Sequence, residues 1–592
     1  MFQKSLFIGA GYSFIDIPFE YYTLFIGTIL IIMTSFGNAG RGNARNRYIV
    51  LACTCLLTFG SYYSFDMPSI LKSDLEETFI EPWAPSRGST LYNLFYLVYA
   101  FCNMAMSLIA GVMVDKHGTR SCAVIFLALC FVGQSLFAVA GALTSLSPKA
   151  RYIFMFFGRF VFGLGGGSIT IVQNAITAKW FKGRNLAMAF GCTLTVSRLG
   201  SVINFSLTSL VFQTFAKKVW HLTTVDGNRP VYCAPNSTDN LWPSASPPAG
   251  EVEGCSRALA ATFALGAVLI LVSYIPAAIF IAFDRAADRA EAPSDASLAS
   301  TSPDKNEVKL GRVDSESHDD AEWHPAAEPN PKTPAFSRWM RSVGTRMDVA
   351  TALPASFWLV SLIIALFYNV IFPFLADAKD FIQLSYDMDP SRASFIAGLV
   401  YLLSMIVSPF LGYAVDYFGR RTWIVLYGTG VTIPVFWMFY SSSSISPTIP
   451  MVLLGSAYCV CASALWPSIQ LLVPSSSVGI ANGIATSIQM LGIGISNLSV
   501  GAIQDANAHV PGSVHGYKQV MLFFLGMGSA SLVVAWILFL VERRSRERIM
   551  YYGKRDEKAS IGDETRQSIT EPLIRTVEDY EAELNRGELD FD

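Results

Sequence analysis

The sequence predicts an all-α membrane protein of two six-helix bundles, with twelve core transmembrane helices and an extra apolar helix near the N-terminus. Three observations predict it. Charged residues are 15% of the 592 positions, against roughly 25% in soluble domains, so most of the chain carries too little charge to face water. Apolar stretches long enough to cross a hydrocarbon core, which takes about 20 helical residues, recur twelve times. A short Gly-Asp-Gly-Arg pattern recurs at the same place in each half. The formal net charge of −2 gives no electrostatic footprint for a nucleic-acid partner.

The elements follow in order. Residues 1–47 form an N-terminal segment whose apolar stretch, 20–36, is short for a span. The first half, 48–283, has spans at 48–71, 91–114, 120–143, 152–176, 186–212 and 257–283. Residues 284–350, rich in Ala, Ser, Pro, Asp and Glu, predict a disordered cytosolic linker. The second half, 351–542, has spans at 355–377, 393–415, 422–441, 450–473, 480–502 and 519–541. A polar tail, 543–592, follows. Basic residues gather in the short loops on one side (Arg41, Arg45, Arg47; Lys116, Arg120; Lys179, Lys182, Arg184; Arg420, Arg421). That bias places those loops, the linker and the tail in the cytosol.

The same topology puts the loop at 213–256 on the exoplasmic side. It carries the sequon Asn236-Ser237-Thr238, expected to be glycosylated. It also carries Cys233 and Cys255, candidates for a disulfide in an oxidising compartment. The other eight cysteines lie in apolar segments, as small core residues do. No residue set suggests a metal site, and no cofactor is called for. A phosphate-binding G-x-x-x-x-G-K-[ST] loop is missing, so ATP does not drive the protein directly, and no enzymatic constellation stands out.

The repeat is Gly111-Val-Met-Val-Asp115-Lys-His-Gly118-Thr-Arg120 after the second span and Gly412-Tyr-Ala-Val-Asp416-Tyr-Phe-Gly419-Arg420 after the eighth. Gly111 and Gly412 suit close helix approach. Asp115 and Asp416 suit a cap or an ion pair at a cytosolic gate. Gly118 and Gly419 suit a tight turn. Such a parallel repeat marks two related six-helix halves. With it the chain resembles the major facilitator superfamily across its twelve-helix core. Local runs sharpen the resemblance to a branch of lysosomal dipeptide carriers: Phe59-Gly-Ser-Tyr62-Tyr63-Ser-Phe-Asp66-Met-Pro68, Gly158-Arg-Phe-Val-Phe-Gly163, Trp180-Phe-Lys-Gly183, Phe372-Pro-Phe374, Ala464-Leu-Trp466-Pro467 and Ser487-Ile-Gln489. The resemblance implies a major facilitator fold, facilitated diffusion of dipeptides, a lysosomal membrane and a glycosylated accessory membrane subunit. Membrane lipid and a small-molecule substrate are the other expected partners.

Two arginines lie inside spans, where an unpaired one costs about 2.5–3.5 kcal/mol on insertion scales. Arg159 reads as structural or gating. Arg198, near the middle of the fifth span, reads as a ligand for a substrate carboxylate, the role the resemblance implies for it. Trp466 would form cavity wall by the same resemblance. Further candidates for the path are Asp66, Tyr62, Tyr63, Tyr368, Asn369 and Gln489, with Tyr92, Tyr96 and Tyr99 behind them. The branch has an acidic residue where this chain has Gly167. Asp66 is the expected substitute for it, and Gly167→Glu is expected to raise preference for a free amino end. Asp66 is also the one carboxylate the sequence offers for proton coupling. The alternatives are a proton-coupled carrier of another small organic solute, in the plasma membrane or another endomembrane, and a non-transporting sensor or scaffold.

Overall fold

A computed structural model of the chain describes residues 44–181, 186–216, 249–291, 353–441, 445–473, 478–508, 516–544 and 550. The apolar stretch 20–36, Cys233, Asn236, most of the linker and nearly all of the tail lie outside the described residues, as do the side chains of Asp115 and Asp416. The described residues form helices and no strands. Among the described residues, twelve helices are long and apolar enough to cross a membrane. In the first half they are α1 (Asn46–Ile70), α2 (Gly88–Val114), α3 (Lys116–Ala142), α4 (Pro148–Phe181), α5 (Leu186–Thr214) and α6 (Glu253–Arg289). The second half has α7 (Ala355–Tyr386), α8 (Pro390–Phe418), α9 (Arg421–Ser441), α10 (Thr448–Leu472), α11 (Val478–Asn507) and α12 (Tyr517–Arg544).

Odd-numbered helices therefore run from the end that carries the linker to the opposite, far end. The turns between α2 and α3 and between α8 and α9 pivot on Gly118 (φ 78°) and Gly419 (φ 66°), a backbone region open to glycine at no steric cost. Gly111 and Gly412 need a different explanation from the one their spacing suggests. A Cβ on either would meet no atom within 4 Å, so neither mediates close approach here. Close approach is real elsewhere: a Cβ at Gly133 on α3 would lie 2.3 Å from the backbone nitrogen of Phe162 on α4.

Three helix ends differ from the sequence reading, each because a charge finds a partner. After α1 the chain continues as Lys72–Leu75 and Glu76–Ile80, so Lys72 enters the helical layer. Helix α7 runs on past residue 377 to Tyr386, with Asp377 and Asp380 buried. Helix α6 runs to Arg289, into what the sequence assigns to the linker. There Asp284 is buried and takes Arg120 Nε at 2.5 Å, Lys179 Nζ at 2.9 Å and Trp180 Nε1 at 3.1 Å. Asp288 also pairs with Arg120. Arg120 thus ties α3 to the end of α6.

The hydrogen bonds between the halves gather at the far end. Tyr92 donates to Ala376 O at 3.0 Å, and Ser394 to Phe205 O at 2.5 Å. Asp505 on α11 caps the start of α2 across the interface, accepting from the backbone of Ser89 and Thr90 at 3.0 and 2.8 Å. A carboxylate satisfies the orphan N–H groups of a helix start and opposes its positive dipole end. Nearer the linker end, Ser107 on α2 and Ser487 on α11 lie 2.8 Å apart. Among the described residues, the contacts of Tyr92, Ser394 and Asp505 hold the two halves together at the far end.

Candidate functional site

The central site is built where α1 and α5 face α7, α8 and α10. Helices α1 and α5 run side by side: Thr58 Oγ1 and Ser197 Oγ are 2.7 Å apart, and a Cβ at Gly200 would lie 2.6 Å from Phe59 O. This packing fixes Arg198 on the face toward the second half. Its guanidinium lies 4.4 Å above the centre of the Tyr458 ring on α10, and its Nε and Nη1 are buried without a hydrogen-bond partner. An aromatic face attracts a desolvated cation, and Tyr458 also accepts a side-chain hydrogen bond from Arg198. Nε and Nη1 remain available to a ligand.

Asp66 lies further along α1. Its Oδ1 accepts from Tyr401 on α8 at a long 3.4 Å, while Oδ2 is buried and unpartnered. Level with Ser197, Thr58 sets the height of Arg198. Asp66 therefore stands roughly 10 Å further along the axis at 1.5 Å per helical residue. The opposite wall is aromatic. Tyr368 stacks on Phe372 with centroids 5.5 Å apart, Tyr458 meets Tyr368 edge-on at 5.8 Å, and Tyr401 meets Tyr458 at 6.4 Å. Trp466 Nε1 donates to Tyr368 Oη at 3.0 Å, which fixes both rings. The first half thus supplies the charges and the second half the rings.

The structure sorts the remaining candidates. Tyr62 is part-buried on α1, where its Cβ would lie 3.3 Å from a Cβ at Gly200. Tyr63 is not in the site: its hydroxyl lies 2.9 Å from Thr208 Oγ1, holding α1 to α5. Asn369 packs on α11, where a Cβ at Gly492 would come within 2.3 Å of its Nδ2. Gln489 is buried on α11. Arg159 is held inside the first half. It donates to Ser64 O at 3.3 Å and lies 4.8 Å from the Phe137 ring centre. Sequence reasoning missed Tyr401 and Tyr458, because tyrosines are common in spans and only packing shows which face a guanidinium or carboxylate.

Gly167 is already committed. Its backbone N–H donates to Asn103 Oδ1 at 2.8 Å, and a Cβ there would lie 2.1 Å from that oxygen. A glutamate at 167 therefore has to move the Asn103 side chain aside before it reaches any ligand. Gly167→Ala should lower the melting temperature clearly. Asn103→Ala in the same chain should recover most of the loss, as a thermal-shift series on the purified protein would show. Equal melting of Gly167→Ala and the parent would contradict the contact.

The sequence pattern of the Major Facilitator Superfamily matches residues 49–497 and 357–550. The chain belongs to the major facilitator superfamily. It is a multi-pass membrane transporter. Among curated relatives it is similar to the "Lysosomal dipeptide transporter MFSD1" of Homo sapiens, 26% identical over 87% of this chain and 90% of that protein. The protein of the same name from Danio rerio is 27% identical over 84% of this chain and 87% of its own length. Among solved structures, the crystal structure of a bacterial homologue of the human lysosomal transporter Spinster, inward-facing and occupied, superposes with a TM-score of 0.53 at 14% identity. It covers 86% of this chain and 99% of that one. A D-xylose–proton symporter superposes at 0.52 and 13% identity, covering 83% and 97%. At these identities the solved structures speak for the fold alone.

Proposed function

We propose that this major facilitator carries dipeptides across the lysosomal membrane by facilitated diffusion, alternating access between its halves. The observation that carries the reading is the pair of buried charges of opposite sign, Arg198 and Asp66, each with polar atoms left unpartnered and facing an aromatic wall. A zwitterion fits both at once. Two extended residues reach at most about 7 Å, and a charge-assisted hydrogen bond of about 2.8 Å at each end lets so short a ligand bridge the two levels. Uncharged rings opposite accept varied side chains by contact. Support for a lysosomal dipeptide substrate also comes from the names of the curated relatives.

The test is counterflow in proteoliposomes loaded with a dipeptide library. Exchange of labelled dipeptide supports the reading; binding without flux would favour a sensor. A second reading, proton coupling, is favoured by the unpartnered Asp66 Oδ2. An imposed pH gradient that drives uphill dipeptide accumulation would establish it.

The charge bias of the loops places the linker end in the cytosol and the far end in the lumen. On that topology Asn236 carries glycan and Cys233 pairs with Cys255, which is itself disulfide-bonded. Protection of residues 284–350 from cytosolic protease in sealed vesicles would reverse the topology. Asp115 and Asp416 act at the cytosolic gate with Gly118, Gly419, Arg120 and Arg420. Asp115→Asn and Asp416→Asn should therefore cut flux severalfold and leave substrate affinity within about twofold, a change of roughly 0.4 kcal/mol. Parallel loss of binding and flux would place them in the substrate site. A glycosylated accessory subunit belongs to the same proposal, by likeness to the relatives' branch.

A further inference from the structure

The far end is held by a lysine in a cage. Lys72 is 1% exposed. Its Nζ donates to Asp377 Oδ1 on α7 at 2.5 Å, Gln504 Oε1 on α11 at 2.9 Å and Tyr517 Oη on α12 at 3.3 Å. The rings of Tyr92 on α2 and Tyr517 each lie 5.3 Å away, centre to nitrogen. Glu76, one turn on, stands 3.7 Å off. Tyr517 passes the contact on, donating to Asp380 Oδ2 at 2.7 Å, and Ser73 donates to the same carboxylate. Three acceptors for three ammonium hydrogens, plus two aromatic faces, make a site shaped for a primary ammonium.

The two partners come from different halves. Lys72 belongs to the first, and Asp377, Gln504 and Tyr517 belong to the second. Alternating access moves the halves apart at this end. Lys72 then leaves, and a buried carboxylate whose Oδ2 already lacks a partner loses its cation. The opened cage then presents three acceptors that have lost the ammonium they shared. A primary ammonium that enters the vacated cage meets the acceptors and the Tyr517 ring that held Lys72.

We propose that the Asp377–Gln504–Tyr517 cage is a primary-ammonium site, filled by Lys72 when the far end is closed and by the ammonium of an arriving substrate when it opens. The tethered lysine is thus both latch and competitor: an arriving ammonium takes the cage, and Lys72 reclaims it as the halves close and the substrate moves toward Arg198 and Asp66. This assignment rests on the reading that the carrier takes ammonium-bearing peptides.

The experiment removes the tether and supplies the ammonium from solution. Spin-label side chains at Ser86 and Arg392, exposed at the far ends of the two halves, report closure by pulsed distance measurement in nanodiscs. Lys72→Ala should lose the short-distance population. Methylammonium should restore it; tetramethylammonium, equally charged but without N–H donors, should not. Lys72→Ala with Asp377→Asn should not respond to methylammonium. Lys72→Arg, which keeps the charge and so guards against a folding failure, should close partially and be indifferent to methylammonium. An unchanged distance in both Lys72→Ala and Lys72→Arg overturns the latch. Equal rescue by both ammonium ions overturns the cage, since charge screening alone would then suffice. Dipeptide counterflow by the wild type is scored separately. A wild type that exchanges no dipeptide, beside a variant rescued by methylammonium, sinks the substrate assignment and leaves the cage standing as an ammonium site.

Discussion

Arg198→Ala is expected to abolish dipeptide counterflow, and Arg198→Lys to reduce it strongly. The guanidinium is buried over Tyr458 with two nitrogens unspent, so in the proposed complex it holds the substrate carboxylate in a desolvated site. Removing one partner of such a pair costs about 2–5 kcal/mol, or roughly thirtyfold at the least in affinity. Lysine keeps the charge but offers no planar fork and a shorter reach over the ring. The discriminating measurement uses dipeptides with amidated C-termini. They should compete poorly in the wild type, because a site built around a charged hydrogen bond rejects a ligand that leaves it unpaired. In Arg198→Ala the amidated and free forms should converge. Equal competition in the wild type would remove Arg198 from the carboxylate role.

The second large effect is expected at Asp66. Asp66→Asn keeps a group that can accept from Tyr401 but removes the charge that faces the substrate amine. Counterflow should fall by an amount similar to that for Arg198→Ala, for the same desolvation reason. The selectivity should change at the other end of the ligand. An N-acetylated dipeptide should compete poorly in the wild type and on equal terms in Asp66→Asn. The carboxyl-end preference should persist in that variant, which separates the two ends. If N-acetylation makes no difference in the wild type, Asp66 is not the amine partner. Its buried Oδ2 then fits the proton-coupled reading better, and the pH-gradient experiment becomes decisive.

These two positions were visible in the sequence because each is a charge inside an apolar run. A charge there is costly enough to imply a partner or a wet cavity. The same logic did not extend to Lys72, Asp377 and Asp380. They stand at span ends, where a charge reaches water at no cost, so the sequence alone gives no reason to bury them. The structure buries all three by bringing α1, α7 and α12 together. Asp284 repeats the pattern: it reads as the start of a polar linker until Arg120 and Lys179 are found beside it.

By itself the sequence determined the twelve spans, the two related halves, the glycine turns at Gly118 and Gly419, and the two mid-span charges. All of these follow from local hydropathy, a repeat in register, or the solvation of one side chain. Only the tertiary structure decided which polar groups meet. It turned Tyr63 toward Thr208, spent Gly167 on Asn103, set Tyr458 beneath Arg198 and closed the far end around Lys72. The reason is physical: the period of a helix fixes which residues share a face, but the partner across that face comes from segments up to several hundred positions away, and only their packing selects it.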